Sequence, residues 1–266
     1  MKQTFTFWSP VLGLDWNCSV ALPAGYDDPA NAGRRWPLMI LLHGAYGNHT
    51  NLPERIDVPG MLEVLNAEGA LPEFITVFPD GFNSYYIDGP TLKMETAIIR
   101  DLIPYFEHNY PVCTAPKSRV IGGISMGGYG AVRLALKYPE LFSMAAGISP
   151  ALWEIPTEDS AVRKTWRLFG NDRTSFDPES WERFHPLRLL SGYSEKHSPV
   201  SFLLLGGGAD TDVPPEAVLR FSEQLSTRAD VITEIHPDGI HAWTYWKIAM
   251  ERALRLIGNK LSEVQL

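Results

Sequence analysis

Cysteine is nearly absent, with 2 in 266 residues, Cys18 and Cys113. That excludes a disulfide framework, a Cys-x-x-Cys redox pair and a cysteine-rich zinc site; it leaves room for a single bridge and predicts two free buried thiols. Positive charge is in deficit, 23 Lys+Arg against 31 Asp+Glu for a net charge of −8. Neither nucleic acid nor an anionic membrane is then the expected partner. No stretch reaches the roughly 18 consecutive apolar residues that a spanning helix needs. Met1 to Phe7 alternates polar and apolar residues like a strand, without the apolar core and small-residue cleavage site of a signal peptide, so the chain reads as cytoplasmic. No internal repeat or low-complexity tract appears.

What is present is an ordinary globular composition, 45% hydrophobic and 20% charged, at a length that fits one large α/β domain or two small ones. Thr4–Ser9 and Asn17–Leu22 read as an N-terminal strand pair. Leu38–Leu42 and Phe74–Phe78 are continuous apolar runs, the pattern of strands buried on both faces. A helix is expected over Met94–Asn109, with Pro104 as its weak point. Then follow strand Ser118–Gly122, helix Met126–Lys137, strand Ser143–Ile148, strand Val200–Leu205, helix Pro215–Ser226, strand Val231–His236 and helix Trp243–Ile257. The alternation predicts an α/β fold, a mainly parallel central sheet flanked by helices. Residues 150–198 break the rhythm with short helical patterns and no strand. They are expected to form a small cap insertion in one domain spanning 1–266; an insertion with no role at the site is the other reading.

Gly123-Ile124-Ser125-Met126-Gly127 matches G-x-S-x-G. Alone the pattern is weak, but an apolar strand precedes it and a helix follows, the context of a nucleophile elbow. A serine hydroxyl needs a base, and seven histidines compete: His43, His49, His108, His185, His197, His236 and His241. The chain order serine, acid, histidine and a place after the last strand select His241; His236 falls within that strand. The acid should follow Val200–Leu205, where Asp210 at the tip of the turn is favoured over Asp212, which could cap the helix opening at Pro214-Pro215. Backbone donors for an oxyanion are expected at Met126 and in the loop His43–His49, with Ala45 first and Tyr46 second. His43 reads as structural. Asp80–Asp88 does not fit a calcium loop and reads as a turn toward the site rim. No zinc set is visible, and this chemistry needs no metal or organic cofactor. Trp153, Trp166, Trp181 and Trp243 could line an acyl pocket, though core packing explains each of them.

Leu41–His49, Asn83–Asp88, Gly123–Gly128 and Gly239–Trp246 together resemble the esterase D-like branch of the α/β-hydrolases, over nearly the whole chain. That branch includes tributyrin esterases, S-formylglutathione hydrolases, feruloyl and acetyl-xylan esterases and mycolyltransferases. The resemblance implies an α/β-hydrolase fold and a serine carboxylesterase acting on short-chain acyl esters. Its nucleophile would be Ser125, its base His241, its acid an aspartate within Asp210–Asp212, and its backbone donors Ala45 and Met126. It also implies a small-molecule ester as partner and a homodimer or homotetramer as assembly. The loop His43-Gly44-Ala45-Tyr46-Gly47 departs from the Ser-Gly-Leu-Thr-Cys-like loop of S-formylglutathione hydrolases, which argues against that substrate. Feruloyl or acetyl-xylan ester cleavage is the other substrate reading. A silent hydrolase fold used for binding would show a damaged triad, and here every member is present in order.

Overall fold

The computed structural model describes residues 2–169, 175–193 and 199–263. Its frame is an eight-stranded sheet: β1 (Lys2–Ser9), β2 (Leu14–Ala21), β3 (Leu38–Leu42), β4 (Ile75–Pro79), β5 (Arg119–Ile124), β6 (Met144–Ile148), β7 (Ser201–Gly207) and β8 (Asp230–His236), in the order β1-β2-β4-β3-β5-β6-β7-β8. β1 and β2 form an antiparallel hairpin and β2 runs antiparallel to β4; every other pairing is parallel. The second strand begins at Leu14 rather than Asn17, because the turn at Gly13 (φ +67°) brings Leu14 and Asp15 into register with Ser9 and Trp8.

Side chains along a strand point alternately to opposite faces, so a strand buried on both sides feeds two cores. In β3, Leu38, Ile40 and Leu42 join one core while Met39 and Leu41 join the other. In β7, Phe202 and Leu204 oppose Leu203 and Leu205 in the same way. The continuous apolar runs in the sequence are this double burial.

Among the described residues, five longer helices cover the sheet, besides the short turn of helix Asn51–Arg55. α1 (Val58–Ala67), a helix not anticipated from the sequence, packs beside the C-terminal helix. α2 runs as Met94–Ala97, Ile98–Leu102 and Ile103–Asn109. Its middle segment is a π-turn in which the Ile103 N–H reaches back to the Ile98 carbonyl. Pro104 has no N–H to give Arg100 and its ring crowds that carbonyl, so widening the helix there accommodates both. α3 (Met126–Lys137), α4 (Pro215–Ser226) and α5 (Trp243–Glu263) complete the set. Among the described residues no helix is long and apolar enough to cross a membrane. Both cysteines are free; Cys18 is buried, whereas Cys113 is only half-buried, contrary to the expectation of two buried thiols.

The segment between β6 and β7 carries short helices, Ala161–Lys164, Trp166–Phe169 and Pro178–Phe184, and a 3-10 stretch Pro186–Gly192. It is tied to α3 by the Phe184 carbonyl, which accepts hydrogen bonds from Tyr129 Oη at 2.7 Å and Arg133 Nε at 3.0 Å. Arg133 and Lys137 in turn pair with the buried Glu95 carboxylate, which also accepts from Tyr138 Oη at 2.8 Å. His185 anchors the same segment: its Nδ1 accepts the Leu187 N–H at 3.3 Å, so the proton sits on Nε2, facing the Leu152 carbonyl at 3.2 Å. Burial pushes this imidazole down to about 4 despite opposing hydrogen bonds to the Leu152 and Trp153 backbone. Between pH ~6.5 and that value the unfolded chain takes up a proton the folded one refuses, so stability should fall with pH by about 3 kcal/mol from this group. Thermal unfolding from pH 7.5 to 4 should therefore drop less steeply in His185→Gln than in the wild type.

Candidate active site

Four loops leave the carboxyl ends of β3, β5, β7 and β8 along one edge of the sheet, where open α/β sheets bind their ligands. Ser125 caps β5 at φ +51°, ψ −115°, a strained conformation for a residue with a side chain. The neighbouring backbone imposes it: the Ser125 N–H donates to the Ile148 carbonyl at 2.8 Å, and its own carbonyl accepts from Tyr129 and Ala151. A Cβ on Gly127 would stand 2.2 Å from the Leu42 carbonyl oxygen, and one on Gly123 2.6 Å from the Gly127 backbone. Only glycine at both positions lets α3 pass this close to β3 and β5.

His241, in the turn between β8 and α5, sets its Nε2 3.0 Å from Ser125 Oγ. Its Nδ1 lies 2.8 Å from Asp210 Oδ2. The other carboxylate oxygen of Asp210 accepts the backbone N–H groups of Asp212 (3.0 Å) and Val213 (2.8 Å), which closes the turn and orients the carboxylate. A carboxylate oxygen accepts, so the imidazole proton is on Nδ1 and Nε2 faces the serine hydroxyl as an acceptor. Asp212 contributes its backbone: its carbonyl accepts from Trp153 Nε1 at 2.7 Å, and α4 starts at Pro215 behind Pro214, without a side-chain cap. Such a triple can remove a proton from Ser125 and return it to a leaving group.

The loop after β3 is built around His43, which is buried. Its Nε2 accepts the Gly81 N–H at 2.8 Å, so Nδ1 carries the proton and donates to the Gly44 carbonyl at 2.7 Å. Gly47 N–H donates to the same carbonyl, and Tyr86 Oη donates to the His43 carbonyl at 3.0 Å. Because the Gly44–Ala45 peptide is planar and trans, holding that carbonyl aims the Ala45 N–H the opposite way. The Tyr46 N–H is taken by Asn83 Oδ1 at 2.6 Å, which removes the second candidate. The turn 80–88 thus props this loop through Gly81, Asn83 and Tyr86.

A cavity of about 510 Å³ opens over Ser125 and His241, walled by Trp153, Trp243 and Trp246. Trp181 is core instead, donating its Nε1–H to the Trp153 carbonyl at 3.0 Å. The Trp166 side chain and His197 lie outside the described residues. Trp246 was not singled out by sequence reasoning: its ring meets His241 edge to face at 5.0 Å, and its Nε1–H points at Ser149 Oγ, 3.3 Å away. Ser149 itself sits at φ +41°. The remaining histidines are elsewhere: His49 against Ser19, His236 beside Glu234, His108 exposed on α2.

A mainly parallel sheet with a serine elbow and a Ser–His–Asp relay at its carboxyl edge defines an α/β-hydrolase. Within that class the chain belongs to the Putative esterase family, whose profile matches residues 9–257. It is 30% identical over 222 residues to the Acetyl esterase of Caldicellulosiruptor saccharolyticus, covering 78% of each chain. It is 30% identical over 146 residues to the Endo-1,4-beta-xylanase/feruloyl esterase of Xylanibacter ruminicola, covering 53% of this chain and 20% of that one. The chain spans less than a third of the length of the first curated relatives it matches, the Xylanibacter protein and an esterase of Mycobacterium tuberculosis. Among solved structures, a ferulic acid esterase superposes with a TM-score of 0.83 at 25% identity, covering 97% of both chains.

Proposed function

We propose that this chain is a serine carboxylic ester hydrolase acting on short-chain acyl esters through an acyl-enzyme. The observation that carries this is the unbroken relay Ser125–His241–Asp210, with spacings of 3.0 and 2.8 Å. Ser125 Oγ attacks the ester carbonyl as its proton passes to His241 Nε2. The Ala45 and Met126 N–H groups stabilise the oxyanion, and the imidazolium protonates the departing alcohol. Water then enters, His241 takes one of its protons, and the acid leaves as Ser125 regains its hydrogen. Asp210 holds the imidazole in the working tautomer throughout. A chain-length series of p-nitrophenyl esters, run beside methyl ferulate and S-formylglutathione, tests the reading; no turnover of any ester would overturn it.

Cleavage of hydroxycinnamoyl esters such as ferulates, whose acyl group is aromatic, is the second reading, favoured by the three tryptophans around the cavity and by the names of the Xylanibacter relative and the superposed structure. A kcat/KM for methyl ferulate above that for p-nitrophenyl butyrate would select it.

His43 is a positioning residue here, since it reaches the reaction only through the Gly44–Ala45 peptide. His43→Ala should lower kcat by ten- to a hundredfold, up to the value of one oxyanion donor, with KM little changed. Steady-state kinetics beside a thermal melt checks this; a loss confined to KM would contradict it.

A further inference from the structure

Beyond the cavity over Ser125 lies a second one of about 480 Å³, with Leu92 and Leu168 as its apolar lining and Asn83, Thr91 and Thr165 around them. Two residues line both cavities, Tyr46 from the loop after β3 and Lys164 from the segment between β6 and β7. Tyr46 is held at its backbone, at φ +60° with its N–H on Asn83, but the residue is 64% exposed. Lys164 is likewise exposed.

The proposed ester hydrolysis, on which this inference rests, assigns a direction to each substituent of the reacting carbon. The oxyanion faces the Ala45 and Met126 N–H groups. The leaving oxygen must face His241 Nε2 to receive its proton, on the side walled by Trp243 and Trp246. The acyl group takes the remaining direction. The second cavity shares none of His241, Trp243 and Trp246 with the first, and it begins at the chain neighbour of Ala45. We infer that the second cavity is a distal acyl subsite for an unbranched aliphatic chain, and that Tyr46 and Lys164 are the partition that limits the acyl group to a few carbons. Its lining suits methylenes, whereas the polar first cavity, with Asp159, Asp212 and Arg55 on its walls, does not.

The test is kcat/KM for p-nitrophenyl acetate, butyrate and octanoate with the wild type, Tyr46→Ala, Lys164→Ala and Tyr46→Ala combined with Leu168→Trp. The octanoate-to-acetate ratio should rise at least about tenfold in Tyr46→Ala, since each methylene that finds an apolar pocket counts for that order. A smaller rise is expected in Lys164→Ala. Leu168→Trp, which fills the far cavity, should return the ratio of Tyr46→Ala to near the wild-type value. An unchanged ratio in both single variants overturns the partition, as does a rise that survives Leu168→Trp, because the chain would then be lying elsewhere. A wild type that turns over no ester overturns the esterase reading and the partition with it. An active enzyme with an unchanged length profile overturns the partition alone.

Discussion

Ser125→Ala is expected to lower kcat on p-nitrophenyl acetate by about 10⁶-fold, and His241→Ala by a comparable factor. The two side chains act through one hydrogen bond, 3.0 Å between Oγ and Nε2, so removing either leaves the other without a partner for the proton transfer. The double variant should then be scarcely slower than either single one, a non-additivity that distinguishes a relay from two independent contributions. Alanine retains the Cβ that the elbow at φ +51° already accommodates, so far-UV circular dichroism and the melting temperature should stay close to wild type. Residual activity within tenfold of wild type in either variant would remove the assignment. Covalent labelling by a fluorophosphonate probe, followed by peptide mapping, should mark Ser125 in the wild type.

Asp210→Asn is expected to cost about 10⁴-fold in kcat, and Asp212→Asn less than about tenfold. The difference follows from what each carboxylate touches. Asp210 Oδ2 accepts the His241 Nδ1–H at 2.8 Å, whereas Asp212 enters the structure through its backbone, its N–H closing the turn and its carbonyl receiving Trp153 Nε1. An asparagine at 210 still offers one oxygen to the N–H groups of Asp212 and Val213, so the turn survives. Its amide nitrogen, presented to the imidazole, favours the tautomer with the proton on Nε2, which cannot accept from Ser125. Kinetics on p-nitrophenyl butyrate with a parallel melt separates this from a folding defect; equal losses in the two variants would contradict it.

Strands β3, β4 and β7 were legible because burial on both faces leaves no polar phase in the sequence, and a run such as Leu38–Leu42 has no other stable use. The elbow was legible for a related reason: the two glycines of Gly123–Gly127 answer contacts of 2.6 and 2.2 Å that any Cβ would violate. His241 followed from chain order together with a place in the loop after the last strand. α1 went unseen, as its Pro59 and Gly60 disguise a helix whose Val58, Leu62 and Leu65 pack on the second core. The π-turn in α2 is a local answer to Pro104 that periodicity cannot register.

The sequence by itself determined the class of fold and singled out Ser125 and His241 as the candidate nucleophile and base, because these rest on apolar periodicity, glycine spacing and order along the chain. Which aspartate meets His241, and that the Tyr46 N–H is already taken, were decided by the tertiary structure. Asp210 is chosen by a partner 31 residues away, and Tyr46 is disqualified by Asn83, 37 residues away. His43 acquires its task from Gly81 across 38 residues, and the ring that meets His241 faces Ser149 across 97. A hydrogen bond is directional and selects one donor among near-equivalent neighbours, and that selection exists only once the chain has brought distant strand ends to one edge of the sheet.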